Sequence, residues 1–137
     1  MDTLTPQQRS ERMSRIRSTN TKPEMAVRRL LHSLGYRYRV HGSKLPGSPD
    51  LVFTKRRKVI LIHGCFWHRH PGCKHARLPK SRLDFWLQKL GDNQRRDVEN
   101  LRRLTDAGWS SLVLWECEVK RLSEHVGRIT AFLGPVR

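Results

Sequence analysis

The apolar positions of this chain change period several times, and each change marks an element. From Pro23 onward Val27, Leu30, Leu31 and Leu34 recur at helical spacing; the proline suits a first helical turn, Glu24 its positive end, and Gly35 the stop. Tyr36 to Val40 alternates as a strand does, and a Gly- and Pro-rich turn follows from Gly42 to Pro49. Asp50 to Phe53 and Lys58 to His63 are short β-type runs. The basic link Thr54 to Arg57 makes them an antiparallel hairpin whose register puts Asp50 near Leu61 to His63. Periodicity then vanishes: from Gly64 to Lys80 the chain is rich in His, Cys, Pro and Gly, too irregular for a regular element. Ser81 caps a short predicted helix to Leu90, and a second helix from Asp92 to Ala107 sets Val98, Leu101 and Leu104 on one side before Gly108. Trp109 to Trp115 is the most apolar strand, and Ser123 to Leu133 is a closing helix with Val126, Ile129 and Leu133.

The strands at 58–63 and 109–115 are separated by helices, so a right-handed parallel crossover is the expected connection and their carboxyl ends lie side by side. That pattern is α/β. One domain is expected, because 137 residues at 36% hydrophobic content bury one modest core. Residues 1–20 carry Ser, Thr, Gln and Arg with little period and are expected to form a basic arm ahead of a domain at 21–137. No apolar run approaches the ~20 residues of a bilayer span, and the start lacks an apolar signal region. The expectation is a soluble, cytoplasmic protein with no membrane partner.

Charge narrows the partner. Lys and Arg number 28 against 12 Asp and Glu, a net charge of +16 that repels itself unless a polyanion is the usual company. Nucleic acid comes ahead of an anionic membrane surface, since neither end carries a basic amphipathic helix with a bulky apolar face. Three cysteines cannot all pair internally, and in a cytosolic chain they point to metal or free thiols.

Their placement decides. Cys65, His70 and Cys73 fall in one short loop and Cys117 arrives from the adjacent strand end, giving three thiolates and one imidazole for a tetrahedral zinc ion, with His75 a rival fourth ligand. Four protein ligands make a closed site that staples the loop 64–80 and does not activate water. A second group gathers at the same sheet edge, the one that ligand sites in open α/β sheets favour. Asp50 belongs beside His63 with His68 in the loop above. Phosphodiester cleavage needs a hard cation on a carboxylate and a base for water; Asp50 suits the first task and His68 the second. Phe66 and Trp67 are adjacent in a loop and Trp86 follows on a helix, so the three aromatics can form a projecting wedge or pack beneath the loop. A wedge between base pairs unstacks them most cheaply where pairing is already defective.

With these residues in view the sequence resembles the very short patch repair endonucleases. The resemblance rests on the run His63, Gly64, Cys65, Phe66, Trp67, His68; on Leu45, Pro46 and Gly47 before Pro49 and Asp50; on Phe85, Trp86 and Leu87 with Asn93 and Asp97; and on Trp115, Glu116 and Cys117. It covers roughly residues 10 to 120. It implies a restriction-endonuclease-like three-layer α/β/α fold with a central mixed sheet, with magnesium at Asp50 and at the backbone carbonyl of Ile62. It also implies a base at His68, assisting roles for Glu24, His63 and Asp97, and an intercalating wedge at Phe66, Trp67 and Trp86. The chain departs from the family where Arg69, Pro71 and Gly72 interrupt the histidine-rich stretch, and where Ile62 replaces a threonine. By themselves Glu24 reads as a helix-start carboxylate and Asp97 as a partner for Arg95 or Arg96.

The activity expected is strand-specific nicking of double-stranded DNA on the 5′ side of the thymine in a T:G mismatch, by a monomer that works on the nucleoid. A restriction-like or other repair nuclease of the same fold is the rival within the class. A non-catalytic zinc DNA-binding module is the rival outside it, and such a binder has no use for a carboxylate facing an imidazole.

Overall fold

The structure is a computed structural model that describes residues 20–136. The predicted basic arm at 1–20 therefore lies outside the described residues except for Asn20. Helix α1, Lys22–Ser33, is capped by Thr21, whose side chain accepts from the Glu24 amide, and Pro23 stands in its first turn. Val27 and Leu31 are fully buried along one stripe, and Gly35, at φ +94°, takes the left-handed turn that ends the helix.

Four strands follow: β1, Arg39–Val40; β2, Leu51–Phe53; β3, Lys58–His63; and β4, Ser110–Trp115. They pair in the order β1-β2-β3-β4, antiparallel at the first two junctions and parallel at the last. The hairpin register matches Leu51 with Ile60, and β3 runs beside β4 from Lys58 opposite Ser110 to His63 opposite Trp115. The first strand is shorter than predicted, because Tyr36 is buried in the core and donates its hydroxyl to the Gly134 carbonyl instead of joining the sheet.

Alternation along the strands sends residues to two cores. Leu51, Phe53, Ile60 and Leu114 meet Val27 and Leu31 of α1 and Ile129 and Leu133 on one face. Val52, Val59, Leu61 and Trp109 meet Leu104 on the other. Helices on both faces of a mixed sheet make an α/β fold of the restriction-endonuclease-like kind.

Two corrections concern helices. The elements predicted at 81–90 and 92–107 are one continuous helix, α2, Leu83–Asp106. Gly91 does not break it, since Leu90 and Asn93 are both buried around it and their packing outweighs the ~1 kcal/mol that a mid-helix glycine costs. Its N-cap is Arg82, in a left-handed conformation without a side-chain cap bond, and not Ser81; Val98, expected on the apolar side, is 70% exposed. The closing helix is also shorter, with a 3-10 turn at Leu122–Glu124 before α4, Val126–Leu133. A short helix α3, Glu116–Val119, follows β4 directly and carries Cys117. No helix among the described residues is long and apolar enough to cross a membrane.

Candidate active site

Hairpin register brings the first site residue into place. Asp50 immediately precedes β2, and its Oδ2 accepts a 2.6 Å bond from the amide of Ile62 on β3, as the predicted register requires. Burial pushes the Asp50 carboxyl up to about 6; the Ile62 amide works against that, and the neighbouring Glu24 carboxylate adds to it through its charge and a hydrogen bond. Glu24 is itself buried, in the first turn of α1, so two carboxylates converge from helix and strand. Like charges held this close in a dry place suit a hard divalent cation, whose charge would relieve both.

The imidazoles stand across from them. His63 ends β3 and is buried; His68 lies in the turn that follows, its amide bonded to the Gly64 carbonyl. The two rings stack with centroids 3.9 Å apart. Burial, with the His68 charge beside it, pulls His63 down to about 4, so His63 is neutral at physiological pH. His68 Nδ1 lies 2.6 Å from Oδ2 of Asp97 on α2. Asp97 thus serves His68 and not the neighbouring arginines; Arg95 pairs with Asp92 instead. A groove of about 870 Å³ joins the two halves, with Glu24, Asp50, His63, Phe66, His68 and Asp97 on its walls.

A second cluster backs the loop. Cys65, His70, Cys73 and Cys117 bring their ligand atoms within 4.8 Å of one another. Nδ1 of His70 lies 3.7 Å from Sγ of Cys65 and 3.4 Å from Sγ of Cys117, and its ring stacks on Trp115 at 4.3 Å. His75 is exposed, in the 3-10 turn Lys74–Ala76, and stands outside the cluster. Three thiols and one imidazole at this spacing fit a closed four-coordinate metal site.

The aromatics gather at one end of the groove. Phe66 lies 5.2 Å from Trp67 and 5.3 Å from Trp86, and Trp67 lies 5.9 Å from Trp86, all by ring centroids. All three are partly exposed, and the buried Asn93 donates to the Trp67 carbonyl from below. Sequence reasoning missed Arg28 and His41, which pack on Glu24. The spacing of four between Glu24 and Arg28 was a readable signal; His41 gave none, because its place depends on a left-handed backbone at φ +54°.

Comparison with known proteins agrees with this geometry. Residues 1–75, more than half of the chain, match the family described as DNA mismatch endonuclease Vsr. The chain is 48% identical over 134 residues to the type II nicking enzyme V.XorIIP of Xanthomonas oryzae pv. oryzae, covering 98% of each protein. It is 44% identical over 119 residues to the type II nicking enzyme V.NmeAIP of Neisseria meningitidis, covering 87% of this chain and 84% of that one. With the DNA mismatch endonuclease Vsr of Escherichia coli it shares 41% identity over 112 residues, 82% of this chain and 71% of the relative. A chain that gathers two carboxylates and an aspartate-held histidine around one groove, and that such relatives match along its length, belongs to the Vsr family of DNA mismatch endonucleases.

Proposed function

We propose that this enzyme nicks one strand of duplex DNA on the 5′ side of a thymine mispaired with guanine, in a magnesium-dependent reaction carried out by a monomer on cytoplasmic, nucleoid DNA. The observation that carries the reading is the Asp97–His68 pair facing Asp50 across the groove. Relatives named as nicking enzymes and as a mismatch endonuclease support single-strand cleavage at mispairs. Magnesium held by Asp50 and the Ile62 carbonyl would supply positive charge where the phosphate becomes more negative.

The chain's own groups do the rest. Asp97 accepts from Nδ1 of His68, which fixes the tautomer and leaves Nε2 as the ring's acceptor for a proton from the attacking water. Neutral His63 stacks on the His68 ring and adds no positive charge beside it. Glu24 assists Asp50. Zinc on Cys65, His70, Cys73 and Cys117 would fix the loop that carries both His68 and the aromatics, a structural role for a site with no open position. Phe66, Trp67 and Trp86 enter the base stack where a wobble pair yields.

An end-labelled duplex with one T:G mismatch, compared with its T:A counterpart with and without magnesium, tests the reading. One nick 5′ of the mispaired thymine, dependent on magnesium, is expected. Equal cutting of the matched duplex would point to a restriction-like or general repair nuclease. Binding without any cut would leave a zinc DNA-binding module.

A further inference from the structure

Glu24 does not hold its position alone. Arg28, one helical turn on, donates from Nη2 to Glu24 Oε2 at 3.0 Å and lies 2.9 Å from Nε2 of His41, which itself lies 3.4 Å from the same Glu24 oxygen. From Nη1 it reaches Oδ1 of Asn20 at 2.8 Å, while the Asn20 amide donates to the same Glu24 oxygen at 3.0 Å. The backbone amide of His41 in turn donates to the carbonyl of Asp50 at 3.1 Å. Arg28 therefore spans the joint between the helix that carries Glu24 and the turn into β2 that carries Asp50.

Two further observations separate this from ordinary ion pairing. Arg28 is nearly buried, with 12% of its side chain exposed, and its Nε has no partner among the described residues. A buried guanidinium with an orphaned donor is a poor device for stability, since the cost of drying it is not fully repaid. Backbone strain gathers around the same joint. Of the six non-glycine residues with positive φ among the described residues, Asn20 and His41 are both gripped by Arg28 through their side chains. Such conformations persist where surrounding contacts over-determine them, and they cluster at working sites.

We infer that Arg28 is a positioning residue for the nicking reaction: together with His41 and Asn20 it sets the Glu24 carboxylate against Asp50, so that Asp50 and its assisting carboxylate are arranged for the divalent cation before DNA arrives. The inference rests on the proposed magnesium-dependent activity. It predicts an effect that passes through Glu24 and leaves the DNA grip untouched.

The test measures single-turnover nicking of a T:G duplex against magnesium concentration, and DNA binding by fluorescence anisotropy without magnesium. The proteins are wild type, Arg28→Met, Arg28→Lys, Glu24→Gln and the Arg28→Met/Glu24→Gln double variant, each first shown to melt above the assay temperature. Arg28→Met should lose on the order of 10- to 100-fold in rate, the usual effect of misplacing a reacting group, and should need more magnesium for half its maximal rate. Its magnesium-free binding should stay within about twofold, and in the Glu24→Gln background the same change should alter the rate by less than about twofold, because no carboxylate remains to be held. Arg28→Lys, which keeps the charge and loses the fork, should fall between. An equal loss in both backgrounds, or a loss that follows weaker DNA binding, overturns the inference. If Glu24→Gln is too slow to measure, unchanged magnesium dependence in Arg28→Met overturns it. Failure of the underlying activity would show differently, as a wild-type enzyme that magnesium does not stimulate.

Discussion

The sulfur cluster around Cys65 and the oxygen pair around Asp50 flank the same strand, β3, and they relate to the fold in opposite ways. The sulfur cluster is complete within the protein: three thiols and one imidazole lie within 4.8 Å, drawn from a loop and from a helix start, with Trp115 stacked on His70. An ion bound there, as proposed, would complete a closed shell and add to folding free energy. The oxygen pair is incomplete, because burial raises Asp50 and the Glu24 charge beside it raises it further. Left to itself that arrangement opposes folding, and a hard cation with a phosphate relieves it. In the proposed mechanism one cluster would hold the loop in place and the other would be kept under strain for the reaction, and strain of this kind marks working sites.

The largest effect that separates them is loss of chemistry without loss of structure. Asp50→Asn should abolish magnesium-dependent nicking while mismatch binding stays near wild type, as removal of a metal ligand and not a phosphate contact. Substantial residual cleavage would remove Asp50 from the centre. Cys117→Ser should do the reverse, lowering thermal stability and activity together, since the ion and the fold share one balance. Metal analysis should find about one zinc per chain, as a single four-donor site requires, and a zinc-free protein with full stability and activity would reject the staple.

Between these extremes lies His68, whose loop is shaped by the sulfur cluster but whose work is done on the oxygen side. His68→Ala should slow single-turnover nicking roughly a hundredfold or more, the common weight of a general base, and unfolding should change little because the ring is partly exposed. An unchanged rate would move the proton transfer to His63.

The two clusters also differ in how far sequence could reach them. Period-two alternation and a four-residue link carried Asp50 to the stretch Leu61 to His63, within which the Ile62 amide bonds it, because a hairpin register follows from strand pattern and loop length. Cysteine spacing carried the sulfur cluster, though the choice between His70 and His75 needed the backbone of the loop. What failed was whatever tertiary packing overrides. Gly91 and Asp92 look like a stop and a start, yet Leu90 and Asn93 bury on either side and run the helix through. The support of Glu24 was illegible for a related reason: Asn20 and His41 reach it only through left-handed backbone positions that no local pattern announces.

A smaller effect should separate the wedge from the grip. Trp67→Ala should reduce mismatch nicking by the roughly 1 to 3 kcal/mol that one aromatic contributes by stacking on a base, and nonspecific binding by much less. A fluorescent base analogue beside the mismatch should respond less to this variant than to wild type. Wild-type selectivity with the full fluorescence response would make Trp67 a packing residue.

The finest test reads the strain at Asp50 as a function of pH. In the metal-free fold this carboxyl titrates at about 6, against 3.8 when unexposed to the site, so between those values the folded state binds more protons and its stability falls as pH rises. His63 runs the other way. Its ordinary value of 6.5 drops to about 4, so the unfolded state binds more protons in that window and stability rises with pH. The two slopes oppose each other between pH 4 and 6, and wild type should show little net dependence from this pair. Asp50→Asn keeps an acceptor for the Ile62 amide and removes one of the slopes. With magnesium absent and zinc saturating, urea unfolding should find this variant close to wild type near pH 4 and more stable by about 1 to 3 kcal/mol near pH 7. Any pH effect on the sulfur cluster is common to both proteins and drops out of the difference. Added magnesium should shrink the gap at pH 7, since only wild type retains the Asp50 carboxylate. A difference that stays constant across the range would mean that Asp50 is not held in strain, and the contrast between a stabilising staple and a strained oxygen pair would fail at its second half.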